Sequence, residues 1–443
     1  MPYFELLRKP NKTRKIQDGI NYNKRAFHAS HSSEKKNPLN DCFALLFLRT
    51  STNSTDAIKK SISDLWKMYN KLKSGYSYDL ENSSFPSGGL TVLIAYGQKM
   101  FEVPGITKKI PRDFKEKQFL PPGPLKTILP GSGLRYSTDI HNNVGLSESI
   151  ALQFISKTQL ATYRAIVETK KYLQEDKRQA LKFSNFFTGF QRDDGRSWLG
   201  FHDEVSNFRS PKERVDAIAI DPFNNNLLHR DFWTTNGTYL VYLRIEVELD
   251  IWNTIERRRQ ELIIGRDKLS GSPLVGVDKV GNPMINKASL SAYDVKGFQK
   301  FFHDHVDYFS GPQLSDKVRS LSDIKASSAI LSQSHIGRTR HIDNIDSKYP
   351  VSRRLYRQGF EFIEPVYNRP KKRFRVGLNF VSFQNDPARL FFILTHPDWM
   401  GNSNFGGTST NKQMRKLLSV LVAGVFFVPP NEKPFPGVTL FNL

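Results

Sequence analysis

The sequence predicts an α+β fold of two successive β-α-β-β-α-β units, each a ferredoxin-like half with an antiparallel sheet, of the dimeric α+β barrel type. Three observations predict it. Apolar runs of strand length recur through the chain, segments with one-sided helical periodicity fall between them, and the order of elements in the first half returns in the second. With 443 residues there is room for two or three domains. Hydrophobic residues make up 38% and Phe alone occurs 33 times, so a large core can be buried and global disorder is excluded.

The first 40 residues are polar and basic and read as an irregular lead-in. Order begins at Cys42–Thr50 (CFALLFLRT), a continuous apolar run suited to a buried strand. A helix over about 56–72 follows, because Ile58, Ile62, Leu65, Tyr69 and Leu72 share one helical face. GGLTVLIAYG (88–97) is the second strand. The Pro/Gly-rich stretch 111–133 then reads as a long loop over the surface. SIALQFIS (149–156) is a strand, 157–174 a helix with Leu160, Tyr163 and Val167 on its apolar face, and LKFSNFF (181–187) a strand. In the second half, Tyr239–Asp250 alternates Leu243, Ile245, Val247 and Leu249 with Arg244, Glu246, Glu248 and Asp250, the pattern of a half-buried strand. A charged helix is expected around 253–264, strands at 354–362 and 375–383, a helix over about 411–423, and a last strand at VFFVPP. The implied division is a lead-in (1–40), a first domain (41–205), a connection (206–235) and a second domain (236–443).

Lysine and arginine exceed aspartate and glutamate by 65 − 43 = 22, which raises acidic partners as a class. The single cysteine, Cys42, excludes intramolecular disulfides and thiolate-rich metal sites. No apolar run approaches a membrane span and no hydrophobic region follows the basic N-terminus, so a cytoplasmic location without membrane contact is the expectation. There is no phosphate-binding GxxxxGK[ST] loop and no GxGxxG. His303-Asp304-His305 lacks further ligands at metal spacing. The run Arg369, Lys371, Lys372, Arg373, Arg375 reads as a solvated hairpin tip rather than a nucleic-acid patch. Arg257-Arg258-Arg259, flanked by Glu256 and Glu261, reads as an ion-paired exposed helix.

Three segments carry chemistry when read together. Gly200-Phe201-His202-Asp203-Glu204 places a carboxylate after a glycine, where it can project into a cavity or simply cap a turn. Ser334-His335-Ile336-Gly337-Arg338 contains a histidine that is either structural or a ligand. Arg357, in the strand RLYRQGFEF, has apolar neighbours and needs an anionic partner if it is buried.

In order and context these segments resemble the dye-decolorising peroxidases, the DyP-type haem peroxidases. That family has a Gly-x-x-Asp-Gly loop, a later histidine bound to haem iron, and a distal arginine some twenty residues beyond it. Gly200–Glu204 matches the loop except at its last position, Asn207 matches the family's following Asn, and Arg357 follows His335 by 22 residues. Asn236–Tyr239, Gly265–Leu274, Phe383–Pro387 and Val425–Pro429 are also similar to family signatures, so the resemblance covers roughly 40–430.

The resemblance implies a haem b peroxidase in which His335 is the axial iron ligand of the second domain. Asn207, Arg338 and Phe383 would be haem contacts. Asp203 would shuttle the peroxide proton, and Arg357 would stabilise charge on the departing oxygen. The implied partners are hydrogen peroxide and a bulky aromatic, phenolic or dye-like reductant that restores a ferryl haem; a homo-oligomer is possible. The 16 Tyr and 5 Trp offer no basis for choosing a surface electron-transfer residue. Two departures stand out. Glu204 replaces the loop's last glycine, and the register puts Lys416, beside Leu417, where many members carry an acidic partner of the proximal imidazole. Alternative readings are a haem carrier or sensor with weak turnover, and a basic nucleic-acid-associated protein.

Overall fold

The computed structural model describes residues 15–20, 41–77, 83–111, 148–192, 196–201, 207, 211–222, 227–268, 271, 274–277, 283–285, 334–336, 355–367, 373–387, 389–390 and 417–441. In the first half, β1 (Cys42–Thr50), α1 (Thr55–Lys73), β2 (Thr91–Tyr96), β3 (Ile150–Ser156), α2 (Gln159–Glu175) and β4 (Leu181–Phe190) follow the expected order. The second half contains α3 (Pro211–Ile218), β5 (Thr238–Val247), α4 (Leu249–Asn253), α5 (Arg257–Ile264), a small hairpin of β6 (Leu274–Val277) and β7 (Pro283–Ile285), then β8 (Tyr356–Pro365), β9 (Phe374–Gln384) and β10 (Leu418–Val428).

The two sheets join into one closed barrel, β1-β3-β2-β10-β5-β9-β8-β4, with antiparallel neighbours throughout. Each half contributes its strands in the order fourth-first-third-second: β4-β1-β3-β2 and β10-β5-β9-β8. Two seams close the ring. β2 meets β10 at Tyr96↔Phe427, and β4 meets β8 at Phe190↔Glu361. Inward side chains from both halves, including Phe43, Phe47, Tyr242, Phe360 and Phe426, form one lumen core.

α1 forms as its spacing predicts. Ser54 caps it by accepting from the Ala57 amide, and Ile58, Ile62, Leu65, Tyr69 and Leu72 are all buried. Each contributes roughly 2 kcal/mol of apolar transfer. α2 has the predicted extent but turns the opposite way. Leu160, Tyr163 and Val167 are exposed, whereas Ala161, Thr162, Ala165 and Ile166 face the sheet. Its buried side is the one with small residues, which let a helix approach β1 and β3 closely.

Other expectations are corrected. The half-buried strand at Tyr239–Asp250 is β5, buried on both faces because its polar side points into the lumen. There Arg244 donates to Asn379 Oδ1 (2.6 Å) and Glu364 Oε2 (2.6 Å), and Arg375 pairs with Glu246 (3.0 Å). Arg375 is thus an internal ion-pair member, while Arg373 stays exposed beside the β8–β9 turn; residues 368–372 lie outside the described residues. The helix around 253–264 is two short helices, α4 and α5, and the helix over 411–423 is replaced from Leu418 onward by β10. β-Branched Val420 and Val422 lead into a run apolar on both faces, as suits a strand with a core on each side. The lead-in is not wholly peripheral either. Ile16 and Ile20 enter the lumen core, and Gln17 bonds Ile94 of β2 and the Pro429 carbonyl beyond β10, clasping that seam. The 112–147 stretch containing the expected long loop, and His303–His305, lie outside the described residues.

Candidate active site

Alternation along β8 and β9 assigns the faces. Tyr356, Phe360 and Phe362 on β8, and Val381 and Phe383 on β9, belong to the lumen core. Arg357 and Gly359 therefore point outward, and so do Leu378, Phe380 and Ser382. Arg357 is directly opposite Ser382, and Gly359 opposite Phe380. Arg357, Gly359, Leu378 and Phe380 are each half-buried. Among the described residues, the Arg357 guanidinium makes no hydrogen bond or ion pair. A half-buried cation beside an apolar strip is set up to meet an anionic, largely apolar partner.

The backbone of Arg357 is held firmly. Among the described residues β8 pairs with β4 only at Glu361, and at Arg357 the side chain of Asn207 stands in for a pairing strand. The Asn207 Nδ2 group donates to the Arg357 carbonyl (2.6 Å), and the Arg357 amide donates to Asn207 Oδ1 (3.2 Å). One side chain thus copies a neighbouring strand. Sequence-predicted Asn207 and Arg357 are brought together.

His335 lies in a short helical turn in which Ser334 is buried and His335 half-buried. That turn abuts the end of α5. Gly265 ends α5 in the left-handed conformation (φ 84°), and a Cβ there would lie 2.5 Å from both Ser334 Oγ and Ile336 Cγ1. Glycine is required on both counts. The next residue, Arg266, is buried and donates to the Gly271 carbonyl (2.6 Å). Burial, and then the charge of Arg357, pull its guanidinium down to about 9. Two cations this close to one another make the region favourable to an anion.

Phe383 is not part of this constellation. It is fully buried in the lumen, 6.3 Å from the Tyr356 ring, on the opposite face of β9 from Phe380 and Ser382. The side chain on the Arg357 face is Phe380, which strict alternation along GLNFVSF would have selected. Asp203, Glu204, Arg338 and Lys416 lie outside the described residues. Sequence reasoning gave no role to Arg266 or Lys268, although both stand in the Gly265–Leu274 segment it singled out.

A family model described as Dyp-type peroxidase, C-terminal, matches residues 194–433, more than half of the chain. The chain belongs to the Dyp-type peroxidase family. It is therefore an oxidoreductase of a family whose cofactor is haem b. Comparison with curated proteins finds no match. Among solved structures, ferric DtpA from Streptomyces lividans is similar over 96% of this chain and 98% of its own, at 19% identity and a TM-score of 0.59. A DyP-type peroxidase from Cellulomonas bogoriensis is similar over 95% and 99%, at 18% identity and a TM-score of 0.60. A DypB variant from Rhodococcus jostii in complex with heme is similar over 88% and 92%, at 15% identity and a TM-score of 0.51. These likenesses support the Dyp-type fold across both halves. No helix among the described residues is long and apolar enough to cross a membrane.

The residues present fit such a cofactor. Haem is a flat apolar ring carrying two carboxylates, and this face offers half-buried apolar side chains, a buried arginine at 266 and an imidazole at 335. A neutral imidazole is a suitable axial donor, and two cations suit an anionic ligand.

Proposed function

We propose that this Dyp-type peroxidase reduces hydrogen peroxide on haem b and draws the electrons from bulky aromatic or phenolic donors. The observation that carries the reading is the half-buried Arg357 guanidinium, unengaged among the described residues and held in place through its own backbone by Asn207. Bound haem supplies an iron that peroxide can oxidise. His335 would hold the haem iron through an imidazole nitrogen. Asp203, four residues before Asn207 in the chain, takes the proton from one peroxide oxygen and returns it to the other. Arg357 offers fixed positive charge to the oxygen that leaves. Arg266 and Arg338 balance the negative charge of the cofactor's carboxylates. Phe380, rather than Phe383, packs against the ring.

The test is spectroscopic. Hemin-reconstituted wild-type protein should show a Soret band that shifts within seconds of adding one equivalent of peroxide. His335→Ala should lose most of its haem or hold it with an altered spin state. An unchanged His335→Ala spectrum would remove His335 from the site. A wild-type Soret band indifferent to peroxide would leave a haem carrier or sensor as the better description.

A further inference from the structure

The four residues after α5, Gly265–Lys268, touch both segments that the proposed chemistry needs. Gly265 abuts the turn carrying His335. At the other end, Lys268 reaches the turn 196–201, which leads directly into the Asp203 segment. That turn is tight. The Gly200 amide donates to Ser197 O (2.8 Å) and the Ser197 amide to Phe201 O (2.9 Å). Gly200 itself is left-handed, with φ 84°, and a Cβ on it would lie 2.6 Å from Lys268 Cε. The lysine stem therefore occupies the space the missing side chain leaves.

Further contacts tie the two segments, directly and through Trp252. Arg196 Nη1 donates to both the Gly200 carbonyl (2.6 Å) and the Lys268 carbonyl (2.7 Å). Lys268 Nζ donates to Gln260 Oε1 (2.6 Å) and stands 5.7 Å from the Phe201 ring and 5.9 Å from the Trp252 ring. Trp252 Nε1 in turn donates to the Leu199 carbonyl (3.1 Å). Burial pulls the Lys268 amine below its ordinary range, with Arg257 and Arg196 adding to the effect and Glu261 opposing it. The half-buried amine is held by these contacts.

We infer that Lys268 is a positioning residue, which seats the 196–201 turn and so sets where the Asp203 segment begins relative to His335. The inference rests on the haem peroxidase reading above. The Asp203 segment starts from a turn held by Lys268 and ends at Asn207, which is fixed to Arg357. Because Gly265 and Lys268 belong to one short turn, the proximal and distal parts of the site share a single reference. A shift of about 1 Å in such a reference is enough to slow chemistry by one to two powers of ten.

The test compares Lys268→Met, which keeps a stem but loses the donor and charge, with Lys268→Arg. Two measurements are made on each. Hydrogen exchange on protein without haem reads the 196–201 backbone directly and does not depend on the proposed activity. Exchange there should quicken about tenfold in Lys268→Met while barrel strands stay as in wild type. Stopped-flow reaction of the haem-loaded protein with peroxide should slow about tenfold, with the Soret band unchanged because Gly265 still seats the His335 turn. Lys268→Arg should restore both to within about twofold. Faster exchange with a wild-type peroxide rate overturns the positioning role, as does a slower rate with unchanged exchange. Wild-type values of both would overturn it outright. If wild-type protein itself binds no haem or ignores peroxide, the enzymatic reading fails, while the exchange arm still decides whether Lys268 seats the turn.

Discussion

The second strands of the two halves, β2 and β8, hold equivalent places in the barrel, yet their outward residues differ in kind. β2 presents Val92, Ile94 and Tyr96 to a core shared with α1 and α2. β8 presents Arg357, Gly359 and Glu361. The third strands repeat the contrast, with Ile150, Leu152 and Phe154 on β3 against Leu378, Phe380 and Ser382 on β9. Charges follow the same division. In the first half, Arg178 bridges Asp176 (2.7 Å) and Asp64 (3.1 Å), whereas in the second Arg357 lies within electrostatic reach of another cation, Arg266. One strand order thus serves two purposes. The first face, covered by helices, pairs its charges and fills its space; the second keeps a cation and apolar side chains half-buried, as the proposed haem site would need.

The largest effect that would sharpen this contrast is on stability. Leu152 is buried between β3 and the helices, so Leu152→Ala should cost about 2–5 kcal/mol in urea unfolding, while activity per folded molecule stays at the wild-type level. Phe380→Ala, on the equivalent strand of the other half, should cost less because its side chain is already partly exposed. Equal losses from the two variants would mean that both outer faces are packed cores and that the division is false.

Next in size is the effect of making β8 resemble β2. Arg357→Leu should slow reaction of the haem-loaded protein with peroxide about 10²-fold, and change unfolding free energy by less than about 1 kcal/mol, because no hydrogen bond or ion pair of the guanidinium among the described residues is lost. Asn207→Ala should do the reverse in part. It strips two hydrogen bonds from the Arg357 backbone, costing about 1–3 kcal/mol, and slows peroxide by a smaller factor. Stopped-flow and urea titrations on both variants give the two axes. A large stability loss in Arg357→Leu with an intact peroxide rate would make Arg357 an ordinary structural arginine.

The features that were legible in the sequence share a physical cause. β1 and α1 are strongly patterned: β1 is a continuous apolar run that fits a strand with a core on each face, and α1 has one apolar stripe against one core, so hydrophobicity and period suffice. α2 misleads because three large apolar residues in its first half, Leu160, Tyr163 and Val167, lie on the exposed side, while the buried face mixes small Ala161 and Ala165 with Ile166. Closure into a barrel is non-local, and it is closure that turns Arg244 and Glu246 from apparent solvent residues into lumen ones. The site divides the same way. His335, Asn207 and Arg357 stand out only through the family resemblance, since each alone reads as an ordinary structural residue, and Phe383 and Phe380 differ only by the side of a strand, where an odd offset exchanges the lumen for the outer face. Arg266 and Lys268 carry no chemical signature of their own; their roles arise from what the α5 turn touches.

The smallest effect concerns the first half's paired charges. Ser61 Oγ donates to Asp176 Oδ2 (2.5 Å), and Arg178 Nε to Asp176 Oδ1 (2.7 Å). Burial pushes the Asp176 carboxyl up, but the Ser61 and Arg178 bonds outweigh it and hold the group below its ordinary range. Asp64 behaves alike, with burial opposed by Lys67, Arg178 and Lys60. A carboxylate whose folded pKa is depressed stabilises the fold above its ordinary value, roughly pH 4, and that stabilisation disappears as pH falls through the lower folded value. Asp176→Asn should therefore cost about 1 kcal/mol near neutral pH, and the gap from wild type should close between about pH 4 and pH 2. Haem retention and peroxide rate should not move, because the brace lies under α1 and α2 and not on the Arg357 face. Urea midpoints of both proteins across that range measure the gap. A difference that stays constant with pH would show that Asp176 contributes through shape and hydrogen bonding alone, and that the first half's charge pairing is not what separates it from the second.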